Sequence, residues 1–346
     1  MNKEEWKQLV TKELKGSQYE SLIRQVSSMI EIEPYYTKEE INNKASKYPI
    51  GAQCLVGASY QLLSVAADKA LLMDDLNGGV NSPAFHVNAT LGREDANLLL
   101  KDVDLNYVTS IWYFDDTDQY LNWHEILNWN TADTNPDAWI SIVADPVFLI
   151  KSDNLQLNKI KAVKLPDLNL TKATQAELVL ADWAVEVDQL LQSCEPKHQL
   201  IFAESAWTNV SLSNAFLDNV AFLKAIQLVW GNILLGHGLT QIPLLSINGS
   251  VNPDALVENP NYNIIRCTAI ALSMRIAGVA RIELPRFGSK QENFDRRIAR
   301  NIIHLFEMES YLDKFADHTS GSYYWDSLVE KIAEAAWNKA SEKVAG

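Results

Sequence analysis

Three cysteines in 346 residues is few. Cys54, Cys194 and Cys267 stand far apart and are odd in number, which excludes a disulfide framework and a zinc cluster built on neighbouring thiolates. Positive charge is also scarce, 30 Lys and Arg against 44 Asp and Glu, for a formal net charge of -14. A surface of that sign repels phosphate backbones and anionic lipid, so no nucleic acid and no membrane is expected as a partner. The densest basic cluster, Arg296, Arg297 and Arg300, lies on one helical pattern among Glu292 and Asp295. No apolar run approaches the roughly 20 residues needed to cross a bilayer. Met1–Val10 is charged and amphipathic, unlike a secretory leader. A cytoplasmic location is the expectation. Glycine is sparse as well, and the one pair, Gly78-Gly79, precedes an apolar run where the phosphate turn of a doubly wound sheet would follow one; it reads as a helix C-cap.

The chain is 47% apolar and 21% charged, a composition that buries a sizeable core. From Gly51 onward, short apolar runs alternate with longer amphipathic ones. Candidate strands are Cys54–Gly57, Ala84–Val87, Tyr107–Tyr113, Trp139–Val143, Lys161–Leu165, Leu200–Ala203, Ile242–Ile247 and Ala280–Leu284. Thr174–Gln192, Ala215–Leu235, Asn263–Ala277 and Phe294–Phe315 read as helices between them. Runs with little alternation belong to strands buried on both faces, as parallel strands are. Eight such beats predict an α/β fold, a (β/α)8 TIM barrel over residues 51–346.

Residues 1–50 differ and predict a helical N-terminal arm. Glu4–Lys15 places Trp6, Leu9, Val10 and Leu14 on one side and stops at Gly16; Tyr19–Ile30 reads as a second helical stretch. Pro34 forces an extended entry, and Thr37 with Glu40 three residues later is a capping-box pattern.

Barrel chemistry sits at the C-terminal ends of strands. The polar residues expected there are Asp115, Asp116, Asp145, Asp167, Glu204 and Asn248. Each reads first as an N-cap or a solvated turn; two opposed carboxylates among Asp115, Asp167 and Glu204 would instead make a hydrolase pocket. Ser205 lacks the glycine turn of an activated nucleophile. Cys194 and Cys267 fall in helical patterns with no electropositive partner. The tryptophans Trp112, Trp123, Trp129, Trp139 and Trp207 read as packing residues before they read as a stacking platform.

The most specific words lie in the last fifth of the chain: Arg297-Ile-Ala-Arg300-Asn301, then Glu309-Ser310, then Asp317-His-Thr-Ser-Gly321-Ser-Tyr323-Tyr324, then Ala335-Ala-Trp337. In this order and spacing they resemble the closing segment of the methylmalonyl-CoA mutase barrel, with His318 where that family usually has Pro. Asn263-Ile-Ile-Arg266-Cys-Thr268 and the helix Phe216–Trp230 are similar to two further family helices, though Asn219, Phe222 and Gln227 replace its Glu, Lys and Arg. Ala173–Leu178 is a weaker match, and Trp6 through Glu40 resembles the family's N-terminal arm. In that family the arm packs on the companion subunit; the alternative is an extension folded on its own barrel. The resemblance implies a scaffold role for Asn263, Arg266, Arg297, Arg300, Asn301, Glu309, Asp317, Gly321 and Tyr323.

The departures bear on chemistry. Catalytic mutases carry a tyrosine segment after the arm, which Asn42 to Gln53 lacks. They carry a strand-five histidine, whose position falls on Asp167 here, and a D-x-H-x-x-G cobalamin signature, which none of the six histidines matches. Kept scaffold words with lost reactive ones resemble the small subunit of a heterodimeric mutase. That likeness implies no cofactor and no metal on this chain, no cobalamin-binding domain and no catalysis of its own. It also implies a large partner subunit carrying adenosylcobalamin, and a homodimer when the chain is alone. The barrel axis is expected to be plugged by Leu55, Phe85, Trp112, Ile142 and Phe202. An open axis would instead admit a CoA thioester.

Overall fold

The structure is a computed structural model that describes residues 2–16, 18–40, 54–87, 92–104, 107–121, 123, 138–142, 160–315 and 317–345. The first helix, α1 (Lys3–Glu13), begins on an Asn2–Glu5 capping box, and Gly16 follows its end at φ +105°. The expected second helix is not there. Tyr19–Leu22 forms one 3-10 turn, and a two-stranded hairpin follows, β1 (Arg24–Gln25) with β2 (Glu31–Ile32). Ser27-Ser28 explains the break, since serine favours turns over helix interiors, and the Ser27 hydroxyl accepts from the Met29 N–H. The Thr37–Glu40 pattern does cap: Thr37 N–H and hydroxyl both donate to the Glu40 carboxylate.

Strands β3 (Leu55–Tyr60), β4 (Ser82–His86), β5 (Ser110–Phe114) and β6 (Ala138–Ile142) pair in parallel in chain order. One segment with Ala162 at its centre follows. Its first half, β7 (Ile160–Lys161), pairs with β6; its second half, β8 (Val163–Lys164), pairs with the later strand β10 (Ala206–Leu212). β9 (Leu168–Asn169) continues along β10. Then β10 pairs with β11 (Ser246–Val251), β11 with β12 (Arg281–Glu283), and β12 returns to β3. The ring closes, and the fold is the expected (β/α)8 barrel.

The helices that cover it are α2 (Val65–Asn77), α3 (Arg93–Leu100), α4 (Ala176–Gln192), the short α5 (Gln199–Ser205), α6 (Phe216–Gly236), α7 (Pro260–Ile276), α8 (Glu292–Met308) and α9 (Tyr323–Ala345). By length and composition α6 is apolar enough to cross a membrane, against the expectation that no run is. Most of that apolar stretch is buried in the helical layer. The helix expected over Phe294–Phe315 ends at Met308, and Tyr311 beyond it is left-handed at φ +53°.

Two strand positions were misread. Leu200–Ala203 is helical, part of α5, and the strand lies just after it; the seventh strand starts at Ser246 and not at Ile242. Residues 41–53, Trp129, Asp145 and the stretch to the fifth strand lie outside the described residues.

Most of the core lies between sheet and helices. Ile30, Ile32 and Tyr36 of the N-terminal segment are buried in the same cluster as α4, α6 and α9. Arg24 donates to both oxygens of Asp218 on α6 (2.9 and 2.7 Å) and to the Tyr324 hydroxyl on α9, and Lys331 reaches the Glu31 carbonyl. Residues 24–36 are therefore folded on their own barrel. The large apolar arm face is partly spent there, although α1 itself buries no residue and Leu9 stays exposed.

Candidate functional site

In a strand, alternate side chains face opposite sides. On β4 and β5, Phe85, Trp112 and Phe114 pack with Leu72 of α2 and Leu99 of α3, so they face the helices. Their neighbours face inward: Ala84, Ile111, Trp139 and Trp207, from four strands, form a separate cluster that only the barrel interior can bring together. The axis is filled, but of the residues expected there only Leu55, in register with Arg281, is on the inward face. Phe85 and Trp112 point outward, Phe202 sits in α5, and the side chain of Ile142 lies outside what is described.

Beside this plug is a polar one. Arg281 on β12 is completely buried. Its Nε donates to the Ser82 carbonyl (3.1 Å) and hydroxyl (3.0 Å), and its Nη2 to the same carbonyl (2.9 Å). Its Nη1 donates to Asn248 Oδ1 (2.7 Å) and Glu283 Oε2 (2.8 Å). Asn248 Nδ2 continues to Asn209 Oδ1 (2.8 Å), which also accepts from the Tyr113 hydroxyl (3.3 Å). The register explains the chain of contacts, because Asn209, Asn248 and Arg281 are consecutive Cα partners on neighbouring strands. Gly57 makes room: a Cβ there would lie 2.5 Å from Arg281 Cζ. Tyr113 stacks on His86 with centroids 4.4 Å apart and planes at 6°. Burial raises the Tyr113 phenol to about 12 and lowers His86, so both stay neutral near pH 7. The arrangement is a hydrogen-bonded core, with its donors and acceptors engaged on one another.

The expected mouth residues scatter. Asp115 follows β5 at the rim, exposed, with its backbone N–H on Gln119 Oε1. Asp116 accepts from Gln119 N–H, a helix-start contact. Asp167 lies between β8 and β9, exposed and paired with Lys164 (2.7 Å). Glu204 is in α5, ahead of its strand. All barrel strands run the same way, so Glu204 is at the opposite end from Asp115 and cannot share a carboxylate pocket with it. Asn248 lies within β11, facing the axis, and not beyond the strand end. Among the described residues no group of three or more His, Cys, Asp or Glu comes together. All three cysteines are buried, and burial raises Cys54 and Cys267 to about 12, so neither is a nucleophile at neutral pH.

The family words hold loops and helices in place. Asn263 is buried, accepts from Val257 N–H and donates to the Val257 and Phe287 carbonyls, all at 2.8 Å; Arg266 donates to the Ala255 carbonyl (2.8 Å). Together they fix the loop before α7 and join it to the loop after β12. Arg300 and Arg296 on α8 both bind the buried Asp75 carboxylate at the end of α2, and Tyr60 donates to it as well (2.8 Å). Asp317 accepts from Lys224 of α6 (3.0 and 3.2 Å) and from the Thr319 N–H and hydroxyl. Gly321 turns at φ +84°, which a side chain would strain. Arg297, Asn301, Glu309 and Tyr323 are on the surface. Arg281 and Arg24 are not picked out by the sequence; the signal for Arg281 is a charged pair two residues apart, Arg281 and Glu283, inside an otherwise apolar strand.

The methylmalonyl-CoA mutase family model matches residues 202–344. A methylmalonyl-CoA mutase small subunit from Porphyromonas gingivalis is 24% identical over 97% of this chain and 62% of its own length. The Escherichia coli methylmalonyl-CoA mutase is 31% identical over 34% of this chain and 17% of its own length. The chain thus spans less than two thirds of either relative. The methylmalonyl-CoA mutase small subunit of Propionibacterium freudenreichii is 28% identical over 36% of this chain. Residues 202–344 match the family's model and almost the entire chain aligns with a small subunit, so this chain is similar to methylmalonyl-CoA mutases, most specifically over its last two fifths.

Proposed function

We propose that this chain is a small-subunit-like component of a methylmalonyl-CoA mutase, a cytoplasmic isomerase complex. In this reading the chain pairs with a large subunit that carries adenosylcobalamin, and takes no part in the reaction itself. The observation that carries the reading is the filled axis. A substrate arm threaded down a barrel needs an open core, whereas Arg281, Trp139 and Trp207 occupy this one and Arg281 is held by bonds to Ser82, Asn248 and Glu283. The same residues do not fit adenosylcobalamin: His86 is stacked under Tyr113, and no described cluster of ligating side chains faces the mouth. No step of the reaction is assigned to this chain.

What remains for the chain is to present a stable barrel. The Asn263, Arg300–Asp75 and Asp317–Lys224 contacts each tie elements distant in sequence. A chain that kept these while losing the strand-five histidine suits a supporting partner. Alone, it would pair with itself through the face it offers the large subunit.

Co-expression with a cobalamin-bearing large subunit from the same source tests the proposal. The two should co-elute as a heterodimer, and acyl-CoA isomerisation should need the large subunit and never arise from this chain with added cofactor. Cofactor-dependent turnover by the isolated chain, or a large subunit that is equally stable and active without it, would overturn the reading. A stand-alone acyl-CoA-binding barrel is the competing outcome, and it predicts CoA binding without a partner.

A further inference from the structure

Helix α7 presents an outer face without charge. From Asn259 to Ile282 the sequence holds no Asp, Glu or Lys, on a chain with 44 acidic residues. The charges in that stretch are arginines engaged inside the fold: Arg266 donates to the Ala255 carbonyl, Arg275 is buried against Glu307 and the Leu312 carbonyl, and Arg281 lies in the axis. What α7 turns outward is apolar. Tyr262 and Ile265 are 60% and 64% exposed, and Ala269, Leu272 and Ile276 further along are half-buried.

These five residues are spaced alternately three and four apart, the seam pattern of a helix that packs along another helix. At 3.6 residues per turn they fall on the side away from Asn263, Cys267, Ile270 and Met274, which are buried toward the barrel. Leu272 and Ile276 also rest partly on the core. A surface helix ordinarily carries charged and polar residues on its outer side. This one carries a second apolar seam.

Charge and symmetry together select its occupant. Two copies of net charge -14 repel over most of their surfaces, so they meet best where neither carries charge, and interface centres are depleted of charge in the same way. The seam is also its own complement. Ala269 stands midway between Tyr262 and Ile276. A twofold axis through Ala269 sets Tyr262 against Ile276 of the second copy and Ile265 against its Leu272. The small residue then lies where the backbones cross closest, and the helices run antiparallel with opposed dipoles.

We infer that two copies of the chain pair through this outer seam of α7, which deepens the self-pairing read above for the lone chain and rests on it. A seam of one helix is a small contact, so the affinity is on the order of micromolar.

Sedimentation velocity of the full chain over a concentration series tests the pairing. The wild type should pass from monomer to dimer, and added sodium chloride should tighten the dimer by screening the repulsion between acidic copies. Ile265→Glu changes an exposed side chain, so the fold should hold by circular dichroism, while like charges facing across the seam weaken association by about tenfold or more. Leu63→Glu, at an exposed position in the loop after β3, should leave association unchanged. Ala269→Cys should cross-link to its own copy on mild oxidation, since the native cysteines are buried. Equal association in wild type and Ile265→Glu, an equal weakening by Leu63→Glu, or a dimer that salt loosens overturns the seam. A wild type that stays monomeric throughout also overturns it, and leaves the large-subunit reading to be decided separately by co-elution.

Discussion

Replacing Gly57 by Ala should be costly only while Arg281 is present. The added Cβ would lie 2.5 Å from Arg281 Cζ, 2.7 Å from Nη2 and 2.8 Å from Nη1. A guanidinium at the end of a flexible chain would ordinarily step aside. This one is pinned by donations to Ser82, Asn248 and Glu283, so stepping aside breaks charge-assisted bonds in a fully buried place. Overpacking of this kind costs about 1–3 kcal/mol. Arg281→Ala strands the acceptors it served and should cost about 3–5 kcal/mol, as removing one partner of a buried charge pair does. In the double variant the clash has no counterpart, and alanine in a strand is favoured over glycine by roughly 0.5–1 kcal/mol. The double variant should therefore be no less stable than Arg281→Ala alone, and the sum of the single costs should exceed its cost by at least about 1.5 kcal/mol. Guanidinium unfolding followed by tryptophan fluorescence and by far-UV circular dichroism measures this, given coincident transitions and unchanged slopes. Additivity within about 0.5 kcal/mol would refute the pinned-axis reasoning.

Asp317 gives a pH signature. Burial opposes its ionisation, but the Thr319 hydroxyl and N–H and the Lys224 ammonium outweigh it and hold the carboxyl below the ordinary aspartate value of about 3.9. A depressed folded-state pKa stabilises above the unfolded value and is lost as pH falls through the folded one. Asp317→Asn should therefore cost about 3 kcal/mol at pH 7, with Lys224 left unpaired, and the difference from wild type should shrink in acid below about pH 4; a pH-independent difference in urea midpoints would contradict it. Burial raises the Cys54 and Cys267 thiols, so a thiol reagent at pH 8 should label the native chain far more slowly than the unfolded one, in which all three react; fast native labelling would show the barrel opening.

The beat of strands and helices was legible because the sheet–helix layer is apolar on both sides. What the pattern hid was the inside. Strands β10 and β11 read Ala206-Trp-Thr-Asn-Val-Ser-Leu212 and Ser246-Ile-Asn-Gly-Ser-Val251, too polar for a buried strand by run-length, because their inward residues serve a hydrogen-bonded axis. The apolar Ile201-Phe202-Ala203 nearby drew the strand assignment instead; a short buried run does not distinguish helix from strand. Bulk misled in the same way: Phe85 and Trp112 were placed on the axis for their size, when the largest apolar volume to fill lay outside the ring, against α2 and α3. The scaffold words were legible as words, but their partners, Asp75 and Lys224, are joined to them only by the fold.

The fifth strand has a mechanical consequence. Ile160–Lys161 grips β6 and Val163–Lys164 grips β10, and on the far side of the ring β12 grips β3 by two residues as well. The barrel is thus two stiff arcs hinged along two narrow seams, like a clasp bracelet. One seam is riveted by Arg281, whose reach extends past β3 to Ser82 on β4; the other depends on a segment with a single residue between its two grips. Under load or on heating, the ring should part first at that second seam, releasing the arcs before either one frays.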